Sequence, residues 1–422
     1  MNITSKGVSS TTIGLVVVLV IVVIAAGAYV ALVSSSAKTT TITSVATTTA
    51  VATTTAVSTS LATSTLLTTS ISTSTYISSE ATNTALSGTL LETGSSLLFP
   101  AFNIWDPVFE QYYPNIQVSD ASTGSGTGQS EAESGAVQVG ASDAYLTPAQ
   151  MAANPGVLDI PLAISAQQIN YNIPVNGLNS IHLNMSANVL AGIYNGTITT
   201  WNNGAIMDLQ SPKVQTLLSN VTATIIPIHR MDSSGDTFIF TTYLSDGSPS
   251  WNATNGGPGF GTTVSWPAVP GSISATGNSG MLLATASTPY SISYIGISYL
   301  NSANQLKIGY AFLQNKAGNF ENIEDASSIQ AAVNAVAPKT PANEAISLVY
   351  APGANSYPIV NFEYAIVKQT QPTASDAANI QAFLTWIITY GNAQVYLEQV
   401  HFTALPPSVV QLSLTQVDSI TS

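Results

Sequence analysis

Residues 225–244 read IIPIHRMDSSGDTFIFTTYL, and the fold is decided on this stretch. Residues 225–228 form a short apolar run with strand character. The segment Arg230-Met231-Asp232-Ser233-Ser234-Gly235-Asp236-Thr237 follows, and FIFTTYL after it has helical character. The alternation of strand, turn and helix recurs outward in both directions. Residues 96–113 carry Leu97, Leu98, Phe102, Trp105, Phe109 and Tyr112 at helix-like spacing. Residues 137–146 (VQVGASDAYL) read as a strand ending in a turn. Residues 376–400 read as one long amphipathic helix, with Ile380, Phe383, Leu384, Ile387 and Ile388 on one face. Such alternation predicts an α/β domain. No internal repeat is present.

The turn in the quoted stretch belongs to a set of three Gly/Ser segments. The others are Thr93-Gly94-Ser95-Ser96 and Ser122-Thr123-Gly124-Ser125-Gly126-Thr127-Gly128. A serine at a helix start offers its hydroxyl beside free backbone N–H groups, and the helix dipole adds positive potential there. Such ends bind phosphate-like anions without a positive side chain, and glycine lets the backbone come close. Taken singly, each segment reads equally as a capped helix or a surface turn. The third is the strongest because Arg230 is the only arginine in the chain. Its guanidinium can hold an oxyanion with two parallel hydrogen bonds, or it can form a structural ion pair with a nearby aspartate.

Asp236 lies inside the same turn, and Asp143 ends VQVGASD. A carboxylate repels a fully ionised anion but accepts a hydrogen bond from a protonated one. HPO4²⁻ and H2PO4⁻ carry such protons, and sulfate at ordinary pH carries none. Aspartates in the pocket would therefore select phosphate over sulfate. Asp143 is also a candidate ion-pair partner that orients Arg230. Asp232 reads as a turn or cap residue.

The rest of the composition mainly excludes. A chain of 422 residues is too long for one small core and suggests two lobes with appendages. Only 7% of residues are charged and the net charge is −13, so no basic stripe can neutralise nucleic-acid phosphates. The absence of cysteine excludes disulfides, thiolate metal sites, a cysteine nucleophile and a lipidated cysteine. The three histidines are widely spaced, so no histidine-based metal site is expected, and no cofactor is expected either.

Ahead of the globular part, residues 13–33 are an unbroken apolar run without charge, long enough to span a bilayer as a helix. Residues 1–12 would be a cytoplasmic N-terminus, or a pilin-like signal cleaved between Gly7 and Val8. An ordinary signal peptide removed near Ser36 is the other reading. Residues 34–87 are rich in Ser and Thr and lack a sustained period, which predicts an extracellular stalk open to O-glycans. Four sequons, at Asn184, Asn195, Asn220 and Asn252, are candidate N-glycan sites.

These segments resemble the phosphate-binding proteins of Pst-type ABC transporters. ETGSSLLFP (92–100), TGSGTG (123–128), GASDAYL (140–146), HRMDSSGDTF (229–238) and AGNFENIEDASSIQAA (317–332) occur in family order. YPIVNFEYAIV (357–367) and QVHFTALPP (399–407) follow. The mycobacterial branch is the most similar, through LAISAQQINYNIP (162–174), GFGTTV (259–264), YIGISYL (294–300) and TPANEAIS (340–347). The resemblance implies a two-lobed, periplasmic-binding-protein-like α/β fold with ligand in the cleft. Lobe I would comprise 88–165 and 357–422, and lobe II 166–356. It implies a phosphate site of Ser96, the Leu97 amide, Ser125, Asp143, Arg230, Ser234, Gly235 and Asp236. Asp236 stands where many relatives carry threonine, and Ser233 where glycine is common.

The function so implied is capture of inorganic phosphate outside the cell and delivery to an ABC permease, with the apolar helix as anchor. Two other classes remain at this point. A phosphatase with Ser234 or Asp232 as nucleophile would need an activating base or metal, and His229 is the only neighbour offered. A glycosylated structural or adhesive surface protein would fit the stalk and leave the anion motifs unexplained. The low charge and the Gly7 junction suggest an archaeal exterior, in an acidic habitat.

Overall fold

The computed structural model describes residues 82–422 and, before them, the backbone of an antiparallel ribbon pairing Tyr29–Ser34 with Thr40–Val45. Residues 29–33, the end of the expected membrane helix, are therefore extended. The rest of that helix, the pilin-like junction and most of the stalk lie outside the described residues. Among the described residues no helix is long and apolar enough to cross a membrane. The chain from Glu80 onward packs as a unit of its own.

Nine strands build its main sheet. In chain order they are β1 (Gly88–Gly94), β2 (Ile116–Ser119), β3 (Val139–Ser142), β4 (Val157–Asn172), β5 (Ile226–Arg230), β6 (Ile273–Ala275), β7 (Ser291–Gly296), β8 (Gly309–Tyr310) and β9 (Val360–Lys368). Their spatial order is β2-β1-β3-β9-β4-β7-β5-β6, with β8 also paired to β4. The two ends of the sheet are parallel: β1 runs with β2 and β3, and β5 runs with β6 and β7. The middle is antiparallel. The 16-residue β4 pairs with β9 through Ala166, and then with β7 from Gln167 to Asn172. Two α/β halves thus share strands that run from one to the other, a two-lobed arrangement.

Helices cross between the parallel strands, as right-handed βαβ connection requires. The ones that matter below are α1 (Phe99–Tyr112), α2 (Ser125–Ser134), α3 (Gly235–Gly247), α4 (Gly277–Ser287) and α5 (Ala374–Trp386). On α1 the spacing of Leu98, Phe102, Trp105 and Phe109 puts all four on one buried stripe. That stripe packs on α5, with Phe109 5.0 Å from Phe383 and 6.0 Å from Trp386, ring centre to ring centre. Burying each such ring contributes roughly 1.5–3 kcal/mol.

The long helix expected over 376–400 is broken. After α5 comes a π-helical turn, Ile387–Gly391, and then the short helix Gln394–Leu397. The carbonyl of Gly391 leaves the helix ladder to accept from the Trp105 indole at 2.9 Å. Asn392 leaves it too, donating to the Leu162 carbonyl at 2.7 Å and accepting from the Leu405 amide at 2.9 Å. Packing against α1 and β4 overrides the helical periodicity there.

Candidate functional site

Four helix starts converge where the two halves of the sheet meet. The first is the turn before α1. Ser95 Oγ accepts from the Leu97 and Leu98 amides at 3.1 and 2.9 Å and donates to Asp143 Oδ1. The second is α2, whose first residue, Ser125, donates to Asp143 Oδ2 at 3.3 Å and accepts from the Asp143 amide at 3.2 Å. The third is α3, capped by Ser234, whose Oγ accepts from the Thr237 amide at 3.3 Å. The fourth is α4. There the Asn278 amide and its Nδ2 both donate to Ser96 Oγ at 3.0 Å.

The two sides are in intimate contact. A Cβ added at Gly235 would lie 2.6 Å from Asp143 Cβ and from Ser125 Oγ. The Gly126 amide donates to the Ser233 carbonyl at 3.0 Å. Ser233 is not among the residues of positive φ, so no glycine is required there. Gly126 makes the room for its side chain instead, since a Cβ there would overlap Ser233 Oγ at 1.9 Å.

Arg230 sits at the end of β5, almost wholly buried. Its amide donates to Tyr294 Oη at 2.9 Å. Its guanidinium binds Asp232 through Nε, at 2.7 Å, and through Nη2, and binds Asp236 through Nη1 at 2.9 Å. Burial works against the Arg230 charge, and the two aspartates outweigh it. Burial likewise opposes ionisation of Asp232, but the hydrogen bonds and charge of Arg230 hold that carboxyl below the ordinary range. Asp236 goes the other way. Burial, then the charge of Asp143, push it up to about 7, against Arg230, Gln167 and Asn278. Gln167 Nε2 donates to Asp236 Oδ1 at 3.0 Å, and Asn278 Nδ2 donates to Oδ2 at 2.6 Å. Asp143 is raised by burial, opposed by its hydrogen-bond donors and by Arg230. A cavity of about 250 Å³ opens beside the guanidinium, lined by Met231, Asp232, Thr262, Val264 and Trp266 among others.

A buried guanidinium, serine hydroxyls, helix-start amides and two aspartates of adjustable protonation form a patch that can both donate to an oxyanion and accept from it. Residues 78–389 match the PBP superfamily domain. Phosphate-binding protein PstS of Methanocaldococcus jannaschii is 31% identical over 361 residues, covering 81% of this chain and 90% of that relative. The chain belongs to the PstS family. Phosphate-binding protein PstS 3 of Mycobacterium leprae is also 31% identical, across 79% of this chain and 87% of the relative. Among solved structures, the phosphate-binding protein of Stenotrophomonas maltophilia superposes with a TM-score of 0.62. The identity is 20%, over 78% of this chain and 94% of that one, which is a likeness of fold.

In this PstS-family chain the residues expected from sequence divide into two groups. Ser96, Ser125, Asp143, Arg230, Gly235 and Asp236 all lie in the patch just described. Leu97 lies at its edge, with its amide held by Ser95. Ser234 lies there too, with its hydroxyl spent on the α3 cap and its amide donating to the Thr262 carbonyl at 2.8 Å. One expectation is corrected. Arg230 is not paired with Asp143; its ion-pair partners are Asp232 and Asp236, because both lie on its own turn within reach of the fork. Asp232 is therefore more than a turn residue, since it also accepts from the Gly277 amide at 3.2 Å.

Around the PstS-family patch, Gln167, Asn278, Glu363 and Tyr294 were not expected from the sequence as site residues, and Ser95 stood out only as a member of its Gly/Ser segment. Asn278 ends SISATGN (272–278), a small-residue turn shortly before MLLATAS (281–287), the same design as the three Gly/Ser segments. Gln167 and Glu363 sit on the two central strands, and only the sheet pairing brings them in.

Proposed function

We propose that this protein captures inorganic phosphate in the patch of Ser96, Leu97, Ser125, Asp143, Arg230, Ser234, Gly235 and Asp236, and hands it to an ABC-type permease. One observation carries the reading. Asp143 and Asp236, both fully buried acceptors, stand among Arg230, Ser95, Ser125 and the α4 start, all of them donors. A tetrahedral oxyanion that carries its own hydrogen uses both sets at once. The lobes would be 88–165 with 357–422, and 166–356, parting by a hinge in β4 and β9 to admit the ligand. The exchange of partners along β4 at Ala166 and Gln167 supports that boundary. On parting, the two bonds from Asn278 to Ser96 are released for the anion, while its bond to Asp236 stays within the second lobe.

A binding role fits better than an enzymatic one. His229, the base a Ser234 nucleophile would need, stacks on Trp266 at 4.8 Å and turns Nδ1 to the Arg230 carbonyl. Export past the membrane, a tether formed by residues 13–33 and a glycosylated stalk complete the proposal, and they rest on the sequence.

Calorimetric titration of the protein, stripped of bound ligand, with phosphate and then sulfate tests it. Phosphate binding at about micromolar Kd or tighter, with no heat from sulfate, is the expected result. Silence toward both anions overturns the reading. Equal binding of both overturns the role given to the aspartates.

A further inference from the structure

Behind Asp143 stands a second buried carboxyl. Antiparallel pairing of β9 with β3 sets Tyr364 opposite Ser142 and Ala365 opposite Ala141. The next step along that register brings Glu363 against Asp143, with the two carboxyls within hydrogen-bonding reach of one another. Glu363 is fully buried. Its Oε1 accepts from Ser165 Oγ at 2.5 Å, while Oε2 is buried and receives no N–H or hydroxyl hydrogen. Asp143 already has a serine hydroxyl on each oxygen, Ser95 on Oδ1 and Ser125 on Oδ2.

The charged groups whose fields reach this pair are Asp236, from α3, and Arg230, from the end of β5. Asp236 opposes ionisation of Glu363, Arg230 favours ionisation of Asp143, and no cation among the described residues pairs with Glu363 itself. Two adjoining carboxylates without an intervening cation cannot both ionise in a buried site. One proton must be kept, and the donors say where. Asp143 has the hydroxyl partners that favour an anion. Glu363 has the oxygen that becomes satisfied once it carries a hydrogen and donates it.

Resting on the phosphate reading above, we propose that Glu363 is a positioning residue for anion capture: as a neutral acid it donates to Asp143 and keeps that carboxylate aimed and ionised as the acceptor for the hydrogen of phosphate. The role requires a hydrogen-bond donor behind Asp143 and an acceptor toward Ser165, and it does not require a charge. Ionising Glu363 would remove the donor and place a second negative charge behind Asp143, against an incoming anion. Burial, then the charge of Asp143, hold the Glu363 proton well above the ordinary carboxyl range, so this loss belongs to the alkaline side.

Phosphate titrations of the full chain from about pH 5 to about pH 9 test the proposal, comparing wild type with Glu363→Gln and Glu363→Ala. Glutamine keeps the donor and the acceptor and cannot ionise. Its affinity is expected within about threefold of wild type in acid, with a smaller loss than wild type on the alkaline side. Alanine leaves Asp143 short of a donor and is expected to bind about tenfold or more weakly throughout. A Glu363→Gln variant as weak as Glu363→Ala, or one whose pH profile parallels wild type, overturns the role of Glu363 and leaves phosphate capture standing. Should Glu363→Ala fail to fold, the pH profile of Glu363→Gln against wild type decides alone. A wild type that ignores phosphate sinks the functional reading itself, and this role with it.

Discussion

Beside β1, Glu92, Asp106 and Asp120 face one another and none of them pairs with a cation among the described residues, whereas at the cleft Asp232 and Asp236 share the sole arginine and Asp143 lies within reach of its charge. Both groups are largely buried, and they handle charge in opposite ways. In the first, burial and then the neighbouring carboxyls raise Glu92 well above its ordinary range and push Asp106 up to about 8. Glu92 and Asp106 thus favour their neutral forms. In the cleft, Arg230 holds Asp232 below the ordinary range, and Arg230 and hydrogen-bond donors work against the burial that raises Asp143 and Asp236. A chain with 7% charged residues can bury acids under either regime, but recognition of an anion needs the second.

Removing the arginine should therefore have the largest effect. Arg230→Ala leaves Asp232 and Asp236 without their cation and takes the forked donor from the anion. Phosphate affinity is expected to fall about a hundredfold or more, since truncating one partner of a buried charge pair costs about 2–5 kcal/mol. Titration calorimetry reads the loss, and circular dichroism at the same pH checks that the fold persists. Affinity near that of wild type would mean that the cleft, like the β1 cluster, does not depend on held charge.

Gly235→Ala probes the closeness of the two sides rather than their charge. The new Cβ would stand 2.6 Å from Asp143 Cβ and Ser125 Oγ, and the glycine is not in the left-handed region, so the backbone itself tolerates alanine. Steric conflict appears only when the sides meet. Affinity should drop by about tenfold to a hundredfold, from an overpacking cost of about 1–3 kcal/mol, while the unfolding midpoint moves little. A midpoint that falls in proportion would place Gly235 in the core and not at a closing surface.

What the sequence revealed follows the same division. The turns that hold Ser96, Ser125, Arg230 and Asp236 were legible because helix-start chemistry is local: a Gly/Ser segment and the apolar run after it lie within a dozen residues. Glu363 and Gln167 were not legible, because each reads as an ordinary polar residue in a strand, and only the β9–β3 and β4–β7 registers bring them to Asp143 and Asp236. The break at Gly391 was hidden for a related reason. The partner that draws its carbonyl away, Trp105, lies 286 residues earlier in the chain. Asp106 gave no sign of its state, since the hydrophobic face of α1 that buries it also contains its only readable pattern.

The smallest expected effect, Asp106→Asn, tests the other half of the comparison. A carboxyl whose folded pKa is raised binds its proton more tightly folded than unfolded. It costs no stability below the unfolded value of about 4, and the cost grows as pH rises toward the folded value. For Asp106 that window runs up to about 8, and Asp159, at about 8, and Glu344, at about 7, add to it in the same direction. Asp232 and Asp325, held below the ordinary range, and His229 and His401, lowered by burial, have the opposite sign. The wild type should thus be most stable in mild acid and lose stability toward pH 8, as read by thermal unfolding. Asparagine removes the titration while keeping the shape of the aspartate, whose Oδ1 has no hydrogen-bond partner. It should leave the midpoint unchanged near pH 4 and raise it modestly above pH 8, where the lost proton-retention cost is partly offset by the buried amide left without partners. An equal shift at both pH values would point to packing rather than proton retention, and a destabilised variant at pH 8 would mean that the β1 cluster, too, keeps a charge that the fold requires.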